Sequence, residues 1–261
     1  MATPMAVPST ARSNVSARDT RVESAAGASR SSKTTFSAAT ESRQRLYPSI
    51  GNPHYLVLAK RRQIFAEWIG QIAGDNLRVL DVGGRVQPYR PLLGIRVAQY
   101  VALDPVATEM VDLVGAGEQI PVESDLFDVV FCTQVLQLVD DPAVVIDEIY
   151  RVLRPGGSFL LSVPSSSPRF ADSDGWRFLP PALRTLLRSF SHVIIMPEGG
   201  TISGFFRTIN SYLYIFARRP LLTKALGFTL FPALNIAGLM LDRFSNGNDS
   251  YAVNYSVLAI K

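Results

Sequence analysis

The stretch LRVLDVGG (77–84) decides the fold. It is a short apolar run that ends in an acidic residue and two glycines, which predicts a buried strand followed by a tight turn. Two similar runs follow along the chain: AQYVALD (98–104), which also ends in an aspartate, and FDVVFC (127–132). These segments predict strands of a sheet that is buried by its surroundings.

Helical segments separate the predicted strands. Residues 55–72 have apolar side chains at the spacing of a helix with one buried face. DDPAVVIDEIYRVLRPGG (140–157) predicts a second helix, with Asp141 as its cap, Pro142 in its first position and a Pro-Gly-Gly end. The rest of the chain predicts a helix at 180–190 and strands at 158–164, 192–197 and 251–261.

Strands that alternate with helices favour a parallel sheet with helices on both faces. Ligands bind such sheets at the carboxyl ends of the strands, which would bring Asp81, the Gly83-Gly84 turn and Asp104 into one candidate site. Glycines let the backbone approach a ligand closely, and a carboxylate at the end of the next strand is placed to accept the hydroxyls of a ribose.

The same runs resemble a known family. VLDVGG, YVALDP and IPVESDLFDVVFCTQVLQLVDDPAVVIDEIYRVLRPGGSFLLSVP (120–164) look like the class I SAM-dependent methyltransferases, in particular the methyltransferase type 11 group. The later DGWRFLPPALRTLL (174–187) is similar to a segment that follows the fifth strand in bacterial members. The resemblance implies an α/β, Rossmann-like SAM-methyltransferase fold with a mostly parallel seven-stranded sheet and helices on both faces.

The resemblance also implies a cofactor, S-adenosyl-L-methionine (SAM), and the residues that hold it. Asp81, Gly83 and Gly84 would line the methionine end of SAM, and Asp104 would hold its ribose. Thr133 and Gln134, just past the FDVVFC strand, would lie beside the transferring methyl group.

The sequence departs from the family at several of these positions. The usual D-x-G-x-G-x-G turn has Arg85 and Gln87 in place of its second and third glycines. The aspartate that often contacts the adenine amino group is replaced by Ala116, with Glu118 two residues later as a substitute. These substitutions do not change the predicted fold, but they affect residues that would contact SAM and therefore its expected affinity.

Methyl transfer asks little of the protein, because SAM is already activated and alignment with the acceptor supplies much of the rate. A general base is needed only when the acceptor must lose a proton, and the sequence identifies no catalytic residue. Asp174, Trp176 and Arg177 are candidate substrate contacts, although a surface Asp–Arg pair explains the two charges equally well. His54 is interpreted either as a substrate contact or as a helix cap, and no His/Cys cluster has the spacing of a metal site.

Composition bounds the remaining expectations. Of the 261 residues, 47% are hydrophobic and 18% are charged, which is enough apolar material for a buried core. The net charge of +4 comes without a run of basic and aromatic residues, so nucleic acid is not an expected partner. The single cysteine, Cys132, excludes an internal disulfide, which fits a cytoplasmic protein, and membrane association is a second interpretation.

Residues 1–45 differ from the rest of the chain. They are rich in Ser, Thr, Ala and Arg, with one aromatic residue and no apolar periodicity, so we expect a disordered tail. A transit peptide is the alternative interpretation of this segment. The predicted domains are therefore the tail at 1–45 and a methyltransferase-like domain at 46–261.

Residues 220–241 form a second apolar region, PLLTKALGFTLFPALNIAGLML, which follows an aromatic-rich segment. We favour a helical insertion at about 204–243 that packs between the last two strands and covers the active site. A peripheral membrane patch is the second interpretation, and a membrane span, which needs about 20 apolar residues, is the third.

The sequence therefore predicts a SAM-dependent methyltransferase that acts on a small-molecule, lipid or saccharide acceptor. The alternative is a catalytically degenerate protein of the same fold that serves as a binding or scaffold module, which Arg85, Gln87 and Ala116 motivate. An NAD-dependent oxidoreductase is disfavoured, because G-x-G-x-x-G is absent after the first strand. The oligomeric state is left open.

Overall fold

The predicted sheet has seven strands. In this computed structural model, which describes residues 38–169, 171–217, 219–244 and 247–261, the strand order is β3-β2-β1-β4-β5-β7-β6. Strand β7 is antiparallel to β5 and β6, and the pairs among β1 to β5 are parallel. The Rossmann-like fold expectation is confirmed. The strands are β1 (Leu77–Val82), β2 (Val97–Asp104), β3 (Leu113–Val114), β4 (Phe127–Thr133), β5 (Leu153–Pro164), β6 (His192–Pro197) and β7 (Asn254–Ile260).

Helices cover both faces of the central strands, which is why most residues of β1 and β4 are apolar and buried. Val79 and Val129 contribute to the core on the side of α2 (Tyr55–Gln71) and the short α3 (Arg90–Leu93). Leu80 and Val130 contribute to the core on the other side. The helices that pack there are α4 (Pro142–Val152) and α5 (Pro180–Leu186).

Helix α4 begins as the sequence predicts, because the Asp141 side chain accepts a hydrogen bond from the backbone N–H of Ala143 at 2.9 Å. Its end is earlier than the predicted Pro-Gly-Gly, since β5 already starts at Leu153. Gly156, with a φ of 77°, lies within the strand, so these residues turn inside β5.

A helix that the sequence did not predict, α1 (Ala38–Leu46), overlaps the predicted tail at 38–45. After Ala38 and Ala39 its side chains are polar up to Leu46, which is its one large apolar residue and is buried in the α2 side of the core. One apolar residue produces no periodicity, so the segment had no helical signal in the sequence. The rest of the predicted tail, residues 1–37, and the transit-peptide interpretation lie outside the described residues.

Three helices between β6 and β7 correspond to the predicted insertion: α6 (Thr201–Phe216), α7 (Pro220–Phe228) and α8 (Leu230–Asp242). In these helices the usual arrangement is reversed, because polar residues are buried and many apolar residues are exposed. The buried residues of α6 are Ser203, Gly204, Arg207, Asn210 and Ser211, whereas its aromatic residues Phe205, Tyr212, Tyr214 and Phe216 are exposed.

Polar contacts and close packing attach the insertion to the domain. The Asn210 side chain donates to that of Asn235 at 2.9 Å, and Asn235 in turn donates to the carbonyl of Ile50 at 2.7 Å. At Gly204, a Cβ atom would lie 2.1 Å from the carbonyl oxygen of Tyr251, so a side chain there would separate the two segments. The insertion is therefore held through its polar side, and its apolar side faces outward.

Candidate active site

A cavity of about 420 Å³ opens where β1, β2 and β4 end. This volume lies within the range of roughly 300–1,000 Å³ that is typical of small-molecule sites. Of the seven predicted cofactor residues, Asp81 and Gly84 are buried behind the cavity wall. The other five lie in the wall: Gly83, Asp104, Glu118, Thr133 and Gln134.

The turn after β1 needs both of its glycines. Gly83 has a φ of 80°, and a Cβ atom there would lie 2.2 Å from a methyl carbon of Val135. A Cβ atom on Gly84 would lie 2.6 Å from the carbonyl oxygen of Asp81. Both glycine N–H groups donate to the carbonyl of Leu103, at 2.7 and 3.1 Å, and so fix the turn to the end of β2.

Asp81 lies beneath this turn and has the perturbed acidity of a buried acid. Its Oδ2 accepts a hydrogen bond from the hydroxyl of Tyr100 at 2.7 Å. Burial raises the pKa of Asp81 to about 7 in spite of this hydrogen bond, and the nearby charge of Asp104 adds to the increase. The predicted contact of Asp81 with the methionine end of SAM stays a prediction.

Asp104 lies at the end of β2 with its carboxylate beside the cavity. Within the described part of the chain, that carboxylate accepts one hydrogen bond, at 2.9 Å from the N–H of Val106 to Oδ1. Because a carboxylate has about four acceptor positions, Asp104 has capacity for the two hydroxyls of a ribose.

The departures from the family pattern have different consequences. Gln87 adopts a glycine-like φ of 51°, and its buried side chain donates to the carbonyl of Met110 at 2.6 Å. It therefore acts as a structural residue outside the cavity wall. Arg85 and Ala116 do lie in that wall, and both are exposed, so the cavity remains open beside them.

A second cavity, of about 310 Å³, adjoins the first, since Arg45 and Gln134 lie in both walls. Most of its residues were not predicted from the sequence, and Arg45 falls in the predicted tail. Its wall comes from α1, α2, α6 and the loops beside them. The polar members are Glu41, Gln44, Arg45, Asn52, His54, Arg61, Gln134, Arg207 and Asn254.

A buried hydrogen-bond network joins the two cavities. Gln134 donates to the hydroxyl of Ser162 at 3.1 Å, and Ser162 donates to Glu198 at 2.5 Å. Glu198 forms a two-point ion pair with Arg61, at 2.8 and 2.7 Å, and also accepts from Ser256 at 2.7 Å. Burial alone would lower the pKa of Arg61, and Glu198 outweighs this effect, so the pKa lies above its ordinary value. Gln134 is therefore held by a chain of fixed groups.

Arg207 and His54 form the other polar part of the second cavity. An Nη atom of Arg207 lies 2.5 Å from Nδ1 of His54. Burial, together with the charges of Arg207, Arg61 and Arg45, lowers the pKa of His54 to about 3. The imidazole is consequently neutral at physiological pH, so Nδ1 can accept a hydrogen bond from Arg207.

The three candidate substrate residues lie elsewhere. Asp174 and Arg177 form an ion pair at 2.6 Å, and Trp176 donates to the carbonyl of Val139 at 3.0 Å. These contacts hold the segment after β5 against the loop after β4, outside the walls of both cavities. Their role in substrate binding stays a prediction. Cys132 is fully buried, and burial raises the pKa of its thiol, as expected for a core residue.

This strand order, with two adjoining cavities at the carboxyl ends of the strands, defines a Rossmann-like α/β protein with a small-molecule site. Residues 80–161 match the family model described as a methyltransferase domain. That segment belongs to the class I SAM-dependent methyltransferases, which confirms the family expectation.

Among curated proteins, the chain is 32% identical over 120 residues to a ubiquinone biosynthesis O-methyltransferase of Leptothrix cholodnii, which covers 39% of this chain and 51% of that protein. It is 38% identical over 91 residues to an uncharacterized methyltransferase of Mycobacterium tuberculosis, covering 31% of this chain and 37% of that protein. The match thus spans about half or less of these relatives.

Solved structures with a similar chain path include the cyclase SpnF, with a TM-score of 0.49 at 16% identity, covering 77% of this chain and 80% of that one. Another is a sarcosine dimethylglycine methyltransferase candidate from Galdieria sulphuraria, with a TM-score of 0.48 at 12% identity, covering 78% and 88% of the two chains.

Proposed function

We propose that this protein is a SAM-dependent methyltransferase that binds SAM in the first cavity and its acceptor in the second. The observation that carries the proposal is that the two cavities share Gln134, at the end of β4, in their walls. Methyl transfer requires the acceptor atom and the methyl carbon to be aligned in contact, and a shared wall places two ligands side by side.

The described residues fit SAM by their chemistry. Gly83, Asp104 and Glu118 all lie in the wall of the first cavity. We expect Asp104 to offer carboxylate oxygens to a ribose and Glu118 to accept a hydrogen bond from an adenine amino group. When bound, SAM supplies an activated methyl group. The protein residues then orient the two ligands and exclude water, and the hydrogen-bond chain behind Gln134 keeps this side chain in place.

The acceptor is proposed to be a small molecule, lipid or saccharide. His54, the imidazole in the second cavity, is a weak base because of its low pKa. This favours an acceptor atom whose lone pair is available at neutral pH without removal of a proton by that residue.

The alternative of a degenerate scaffold protein has less support. It depends on Arg85, Gln87 and Ala116, yet Gln87 replaces a glycine without entering the cavity, and Arg85 is exposed at its edge.

Calorimetry with SAM and its demethylated product tests the proposal. We expect micromolar binding by the wild-type protein. We expect Asp104→Ala to weaken binding by about 1.5–3 kcal/mol, the scale of hydrogen bonds to a charged group. Asp172→Asn, which removes a similar charge at an exposed position outside both cavities, is the matched control and should bind normally. Absence of binding at millimolar SAM would exclude the enzyme and favour the scaffold alternative.

We also propose a peripheral membrane contact through α6 to α8, because their apolar side chains point outward. Phe216 and Phe228 are each 77% exposed, and the exposed Arg219 and Lys224 suit anionic headgroups at the membrane surface. Within the described residues, no single helix has the length and hydropathy of a membrane span, although α7 and α8 meet these criteria together with a bend of 43°. Arg218 lies outside the described residues.

Flotation with anionic liposomes tests this contact. The wild-type protein should float, and Phe216→Ser/Phe228→Ser should stay in the dense fraction. Phe231, which belongs to the apolar region 220–241, is fully buried and contributes to the core. Ile95→Ser removes an exposed apolar side chain far from the insertion in sequence and is the control. If the wild-type protein does not float with anionic liposomes, the proposed membrane contact is wrong.

A further inference from the structure

The second cavity has an excess of positive charge that is not neutralised within the protein. Arg45 pairs with Glu41, and Arg61 pairs with Glu198. In the described part of the chain, Arg207 has no carboxylate within ion-pair distance. Its side chain contacts two neutral groups, the hydroxyl of Ser211 and the imidazole of His54.

A cation in this position is costly. Arg207 is 8% exposed, and a buried charge destabilises a protein unless it is paired and fully hydrogen-bonded. Burial, together with the neighbouring Arg61, lowers the pKa of Arg207 to about 10, so it is still charged at neutral pH. The protein therefore maintains an unpaired guanidinium at the edge of an open cavity.

Two donors in this wall also have no partner. They are Nε of Arg207 and Nδ2 of Asn254, both buried and without a hydrogen-bond partner among the described residues. Buried polar groups are nearly always hydrogen-bonded, so two such donors in one cavity point to a group that brings acceptors. Both donors lack a hydrogen-bond acceptor, which a ligand oxygen could supply, and the positive charge of Arg207 favours a ligand with a negative charge.

We infer that the second cavity binds an anionic group of the methyl acceptor, a carboxylate or a phosphate, between Arg207 and Asn254. This inference rests on the proposed function, because it assigns the second cavity to the acceptor. A guanidinium is suited to this task, since its planar N–H groups match the oxygens of both anion types. A guanidinium binds carboxylates and phosphates by the same kind of hydrogen bond, so a small carboxylate and a small phosphate are used to distinguish which of the two the cavity binds.

Benzoate and inorganic phosphate are suitable probes, each titrated at constant ionic strength into the full chain saturated with the demethylated product of SAM. Binding is read from the rise in melting temperature and from calorimetry. We expect saturable binding of one probe by the wild-type protein and a loss of about tenfold or more in affinity in Arg207→Gln, the scale of a charge-assisted hydrogen bond. Arg207→Lys should retain part of the affinity, and Asn254→Asp, which adds a negative charge to the wall, should abolish it.

Arg188→Gln is the matched control, since it makes the same change at an exposed arginine outside both cavities. Binding of benzoate alone identifies a carboxylate acceptor, and binding of phosphate alone identifies a phosphate acceptor. Equal responses of the wild-type protein and Arg207→Gln, or no saturable response to either anion, would overturn the inference.

Binding of the demethylated product is measured separately on every variant, so the two proposals fail in different ways. If the wild-type protein and Arg188→Gln do not bind the product, the proposed function fails, and the anion titration of the ligand-free protein then tests the cavity alone. If all variants bind the product but the wild-type protein binds neither anion more tightly than Arg207→Gln does, the inference about the acceptor is wrong and the methyltransferase proposal stands. The variant Arg207→Gln removes an unpaired buried charge, so we expect it to fold.

Discussion

The buried ion pair between Arg61, in the wall of the second cavity, and Glu198 behind it allows a test of how much this pair contributes to stability. Glu198 accepts four hydrogen bonds, two from Arg61 and one each from Ser162 and Ser256. Glu198→Gln keeps the shape of the side chain, yet it removes the negative charge and turns one acceptor into a donor that faces other donors. Removing one partner of a buried pair costs about 3–5 kcal/mol, and we expect a value in the upper half of this range.

The free energy of unfolding, measured by urea denaturation at pH 7, gives this value. Asp172→Asn is the control, since its pair with Arg169 is exposed and should contribute less than about 1 kcal/mol. The double variant Arg61→Met/Glu198→Gln should recover most of the loss, because no unpaired charge is then left buried.

A loss below about 1 kcal/mol in Glu198→Gln would refute this reasoning, since it would mean that Arg61 reaches water or another partner. If the double variant is no more stable than Glu198→Gln, the loss in the free energy of unfolding comes from packing and not from the unpaired charge.

Three further outcomes are expected. Because the pKa of His54 is about 3 in the folded protein and 6.5 in the unfolded chain, the unfolded chain binds this proton first, and His54 should contribute a loss of about 2 kcal/mol of stability between pH 7 and pH 5. The raised pKa of Asp81 acts in the opposite direction over the same range, so the His54 contribution is read as the difference in urea midpoint between the wild-type protein and His54→Gln, and a difference that does not change with pH would contradict it. Gly83→Ala should lower the melting temperature more than Gly74→Ala, because both have positive φ but the latter has open space around its Cβ position; equal losses would show that crowding is unimportant. Deleting residues 1–46 should destabilise the protein relative to deleting 1–37, since α1 is removed, and equal melting temperatures would show that α1 contributes nothing.

The sheet was predictable because its central strands are buried on both faces, so 77–84 and 127–132 are mostly apolar, with Arg78, Asp81 and Asp128 as the charged exceptions. The two residues of β3 are too few to form a pattern, which is why this strand was missed. The glycine turn and Asp104 were predictable for a related reason, since the carboxyl ends of parallel strands converge.

The second cavity was not predictable in the same way. His54, Arg61, Arg207 and Asn254 come from three separate segments, which are α2 with the residue before it, α6 and β7, and no spacing in the sequence relates these segments to one another. A signal was nevertheless present, because Arg207 interrupts an aromatic-rich helix, and a charge in that position needs a polar environment. The sequence therefore indicates that Arg207 has polar surroundings, but only the fold shows which residues form them.

The inverted polarity of α6 to α8 separates the residues of the proposed membrane contact from those that line the second cavity. The outward apolar side chains contribute little to folding, since substitutions at exposed positions usually change stability by less than about 0.5 kcal/mol. The inward residues, among them Arg207 and Asn235, are fixed by the cavity and by the contacts with the domain. Related chains can therefore exchange the outer side for a polar one, or for one that fits another surface, without a change in the second cavity.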